Sequence, residues 1–105
     1  MTEDLADQRA ATISVAKSIG IDYIDLNGAS TRYLDAIGSA NAATYNRVLG
    51  DFTHLNPSGS VVFGDMVSFL LTSTTRVGKG LSKYTRPNAE VVRAIEKGVY
   101  IFPSS

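Results

Sequence analysis

The sequence predicts an α/β fold that is helix-rich as it stands, and three observations carry that reading. A helix-favouring stretch, residues 2–19, passes through the single Gly20 into Ile21-Asp22-Tyr23-Ile24-Asp25-Leu26, which is short, β-branched and aromatic. Helix then strand is half of a βαβ unit, the building block of parallel sheets. The only other strand-like run is Val99-Tyr100-Ile101-Phe102. Two isolated strands leave their backbone groups without a ladder. The helices therefore read as the cover of a sheet whose other strands lie outside this chain.

Element by element, Thr2 suits a helix start, and Leu5, Thr12, Ile13, Ala16 and Ile19 recur at helical spacing. Gly20 suits the left-handed position just past the end. Residues 21–26 follow as the strand. Ser30 or Thr31 is expected to cap a short helix through Tyr33, Leu34 and Ile37, closed by Gly38. Residues 40–49 read as another helix, closed by Gly50. Asn56 is a good N-cap and Pro57 suits the first helical position. Val62, Phe63, Met66, Val67, Phe69 and Leu70 then give an apolar helix to about Leu71. Residues 72–80, rich in Thr, Ser and Gly, read as loop. Asn88 caps a last helix through Val92 and Ile95 that Gly98 ends, and Pro103 stops the apolar tail. The composition shift divides the chain into residues 1–72 and an extension, residues 73–105, with one short helix.

Composition narrows the function. With 105 residues, the chain is one small domain at most. Ten basic and ten acidic side chains cancel, so nothing marks a nucleic-acid surface. The chain contains no cysteine and one histidine, which excludes thiolate metal sites and leaves no metal or cofactor to expect. No apolar run approaches the roughly 20 residues of a membrane span. The acidic, polar start, Met1 to Asp7, is not a secretory signal.

The one histidine lies in Asp51-Phe52-Thr53-His54-Leu55-Asn56-Pro57-Ser58-Gly59. A histidine base needs an acceptor on one ring nitrogen to set its tautomer and stabilise the imidazolium. A carboxylate three residues earlier in a turn meets that need, and the bland alternative is a surface histidine beside a turn-capping Asp51. Asp22 and Asp25 alternate onto opposite faces of the expected strand, which separates them as a carboxylate pair. Gly78-Lys79-Gly80 lacks the rest of a phosphate loop.

The Asp-x-x-His block, the helix start behind it and the upstream Val15–Ser30 stretch resemble the final block of the SGNH (GDSL-type) hydrolases. The likeness covers about Arg9 to Leu71 and is nearest to fungal rhamnogalacturonan acetylesterases. It implies the C-terminal portion of a three-layer α/β/α, flavodoxin-like domain and a serine esterase acting on a carbohydrate ester. His54 would be the base and Asp51 its orienting partner, and the complete protein would be extracellular. The family's Gly-Asp-Ser nucleophile block and its oxyanion donors do not precede Asp51. Gly64-Asp65-Met66 has methionine where serine is needed, and Gly28-Ala29-Ser30-Thr31-Arg32 lacks the second glycine of a nucleophile elbow. Two alternatives follow: a non-catalytic interaction module of the same shape, or one half of an enzyme completed in trans by the missing N-terminal part.

Overall fold

In a computed structural model, residues 6–48, 54–75 and 78–103 are described. Among the described residues six helices follow one another: α1 (Ala6–Ile19), α2 (Leu26–Ile37), α3 (Ser39–Ala43), α4 (Pro57–Thr74), α5 (Gly78–Leu81) and α6 (Ala89–Lys97). None of the described residues forms a strand, and the sole β pairing among them is the isolated antiparallel bridge Asn46–Leu55.

Local sequence explains the helix ends. Gly20 adopts φ +73°, and the Ile21 amide reaches back to the Ala16 carbonyl at 3.1 Å. Gly98, at φ +67°, ends α6 the same way, with Val99 N–H donating to Ala94 at 2.9 Å. Both are six-to-one closures that satisfy a terminal carbonyl. The Asn56 side chain accepts from Gly59 N at 2.8 Å, and Asn88 accepts from Glu90 N at 2.9 Å.

Helix α4 is the axis of the core. Of its buried residues, Ser58, Gly59, Val62, Met66 and Leu70 form one stripe at helical spacing, with Ser68 buried off that line. Against that stripe pack Ala29, Tyr33 and Ile37 of α2, Tyr45 after α3, and Val91 of α6. Ile95, Tyr100 and Ile101 cover the edge of the same cluster, so residues beyond 73 share one core with those before it. By contrast α1 buries only Ala16, while Val15 and Ile19 are exposed.

Several expectations need correction. Residues 21–25 are irregular, and Leu26 already belongs to α2. Ile21 and Asp22 are exposed, and no neighbouring strand among the described residues offers a ladder, without which β-branched composition does not make a strand. Ser30 and Thr31 are not caps but lie buried inside α2. Asp25 caps that helix instead, accepting from Gly28 N at 3.1 Å. Its carboxylate is fixed by a bidentate pair with Arg9 of α1, Nε to Oδ1 at 2.7 Å and Nη2 to Oδ2 at 2.6 Å. The helix expected over 40–49 closes at Ala43, where the chain turns back to meet residues 54–56. Part of the expected loop after Thr72 is helical, because α4 runs to Thr74 and α5 begins at Gly78. The sites Thr2, Leu5, Leu49, Gly50 and Asp51 lie outside the described residues.

Asp25 is expected to make folding pH-dependent. The Arg9 hydrogen bond, opposed in part by burial and assisted by the Gly28 amide, holds its carboxyl below the ordinary 3.8. A lowered folded value contributes stability above the unfolded pKa and loses it as pH falls through the folded one. Asp25→Asn is therefore expected to be less stable than the wild type at pH 6, with the gap narrowing at pH 3. Urea denaturation at the two pH values measures it, and a gap that widens in acid would contradict the assignment.

Candidate active site

His54 sits at the approach to α4, and the chain around it is pinned from both sides. Its carbonyl accepts from Arg47 N at 2.8 Å, and Asn56 N donates to the Tyr45 carbonyl at 2.8 Å. The Asn56 amide nitrogen also donates to the carbonyls of Thr44 at 2.6 Å and Asn46 at 3.1 Å. One asparagine thus caps α4 with its oxygen and ties down the preceding turn with its nitrogen. The result is a hydrogen-bonded corner, residues 44–47 against 54–59, that presents an exposed histidine. Loops held by a firm scaffold are where binding and catalytic groups concentrate.

Of the predicted pair, the structure therefore places His54, while Asp51 lies outside the described residues. The serines near helix starts offer no elbow. Ser30 is buried and donates to the Asn27 carbonyl at 3.1 Å. Ser58 donates to the Pro103 carbonyl at 2.5 Å, and Ser60 is an exposed residue in the first turn of α4. Met66, in the sequence that imitates a nucleophile block, is fully buried.

Two open clefts lie elsewhere, and neither is lined by a residue of this corner. One of about 430 Å³ lies between α2, α4 and α6, with Tyr33, Met66, Phe69, Arg32, Glu96 and Lys97 among its lining. The second, about 300 Å³, contains Asp22, Tyr23, Asp25, Arg32 and Thr74. Asp22 and Asp25 therefore share a cleft, whereas strand alternation would have parted them; the segment is not a strand, so its side chains do not alternate. No group of three or more His, Cys, Asp or Glu among the described residues is arranged to hold a metal ion. No helix among them is long and apolar enough to cross a membrane.

Sequence reasoning missed Tyr45. It is 1 % exposed, its hydroxyl lies 3.2 Å from that of Tyr33, and it donates to the carbonyl of Ile101. Burial, then the neighbouring Tyr33 hydroxyl, pushes its pKa well above the usual phenol range. Nothing local announces this role, because both partners are distant in sequence. Compared with known proteins, the chain matches no family model, no curated protein and no solved structure.

Proposed function

We propose that this chain carries the base and orienter, His54 and Asp51, of an SGNH-type serine esterase acting on carbohydrate esters, and that it does not carry the nucleophile. The observation behind this reading is the Asp-x-x-His block set against an Asn-Pro-capped helix, with His54 exposed on a corner braced by Asn56. In such a reaction a serine supplied by the N-terminal part attacks the ester carbonyl, and His54 accepts the serine proton. His54 then protonates the leaving alcohol, and later draws a proton from water as the acyl-enzyme is hydrolysed. Asp51 would hold the imidazole in the tautomer that accepts. No metal enters this chemistry.

Acyl transfer also needs donors aimed at the developing oxyanion. The chain alone is therefore expected to turn over a nitrophenyl acetate no faster than an equal concentration of imidazole, and to take no label from a fluorophosphonate probe. Turnover well above both imidazole and His54→Ala, abolished by Ser60→Ala, would place a nucleophile in this chain and overturn the assignment.

A second reading, an interaction module or a half completed in trans, rests on a different observation. Val15, Ile19 and Ile21 are all more than half exposed around an irregular segment of strand-like composition. A further piece of domain that covers these three side chains would bury that apolar surface. Labelling of a serine on an added N-terminal chain, dependent on His54, separates trans completion from a purely binding role.

A further inference from the structure

The C-terminal tail is held in an unusual way. Leaving α6 through Gly98, residues 99–103 run across α2, the turn after α3 and the start of α4. Three side-chain hydroxyls from those three places donate to three alternate carbonyls. Tyr33 reaches Val99 O at 2.9 Å, Tyr45 reaches Ile101 O, and Ser58 reaches Pro103 O at 2.5 Å. Acceptors at every second residue are those that an extended chain presents along one edge. The only backbone hydrogen bond of this segment among the described residues is Val99 N to Ala94 O, at its root.

The side chains between those carbonyls also touch this surface, Tyr100 half-buried and Phe102 still 52 % exposed. The Tyr100 hydroxyl lies 2.9 Å from Thr44 Oγ1. The Phe102 ring stacks on Tyr45 with centroids 6.3 Å apart and planes 3° from parallel, and Tyr100 packs at 6.0 Å from the same ring. Every groove residue in these contacts, Tyr33, Thr44, Tyr45 and Ser58, is uncharged, as is the tail from Val99 to Pro103.

Adding a strand to a sheet edge recognises a peptide through main-chain bonds, with pockets for alternate side chains. Here hydroxyls replace the missing edge, and the same logic holds. We propose that this groove is a binding site for an extended, uncharged peptide segment with aromatic side chains at alternate positions, and that residues 99–103 fill it in cis as a self-blocking ligand. This proposal does not depend on the esterase reading. Because Tyr45 also accepts from Asn56 through its carbonyl, occupancy of the groove is joined to the corner that bears His54.

A tethered ligand competes at an effective concentration in the millimolar range, so a free peptide binds the intact chain weakly. Weakening the tether's own contacts, and not the groove, must therefore strengthen binding in trans. The test uses the full chain and a fluorescein-labelled synthetic peptide of residues 98–105, followed by anisotropy. Phe102→Ala in the chain is expected to tighten binding of the unaltered peptide about tenfold, and Tyr100→Ala likewise. Adding Tyr45→Phe to either variant is expected to remove most of that gain. Unchanged affinity in variants that keep the wild-type far-UV circular dichroism overturns the proposal. So does a gain that survives Tyr45→Phe. Loss of helical signal in both Phe102→Ala and Tyr100→Ala also overturns it, because the tail's contacts with the core cluster would then be required for folding rather than displaceable.

Discussion

Met66→Ala is expected to destabilise the protein by about 2–5 kcal/mol, the usual range for truncating a fully buried methionine. Met66 and Val62 are both completely buried on the stripe of α4 that faces Tyr33 and Val91. Removing the side chain loses its transfer free energy and opens a cavity between three helices. Small domains have only about 5–15 kcal/mol in hand, so this is a large fraction of the total. Thermal and urea unfolding measure the effect, with a midpoint lower by roughly 10 °C or more. A loss below about 1 kcal/mol would mean that α4 is not the axis of the core.

Gly59→Ala is the second large effect, and it bears on the candidate site. A Cβ at position 59 would stand 2.5 Å from the Tyr45 carbonyl oxygen and 2.9 Å from Tyr45 Cβ. Backbone cannot yield as a side-chain tip can, so α4 must move away from residues 44–46. Overpacking of this kind costs about 1–3 kcal/mol. Gly64 lies exposed in the same helix with nothing within 4 Å of its added Cβ. Gly64→Ala is therefore expected to stabilise by up to about 1 kcal/mol through helix propensity. The matched pair separates the tight contact from helix propensity. His54 is the sole histidine, so its ring proton resonance gives an unambiguous local readout. That resonance is expected to shift in Gly59→Ala and to stay in place in Gly64→Ala; the reverse pattern would detach His54 from the Tyr45–Asn56 corner.

The candidate site was legible to the extent that it is local. Asn56 and Pro57 announced the start of α4, and the structure puts His54 just ahead of it, exposed. What braces the corner was not legible. Nothing near Thr44 or Asn46 says that Asn56 will bond their carbonyls from ten or twelve residues away.

The sequence alone determined where helices stop and start at Gly20, Asn56, Asn88 and Gly98. At each of these ends the hydrogen bond that closes the helix spans about five residues or fewer, so local chemistry decides the outcome. Only the tertiary structure decided whether residues 21–25 became a strand, because a strand exists through partners elsewhere. Composition there favoured pairing, yet no described neighbour supplied a ladder, and Asp25 was instead taken by Arg9 from 16 residues away to start α2. The same holds for the tail. Tyr33 and Tyr45 meet Val99 and Ile101 across separations of 66 and 56 residues, and such contacts form only once the helices have packed and brought buried hydroxyls within reach of free carbonyls.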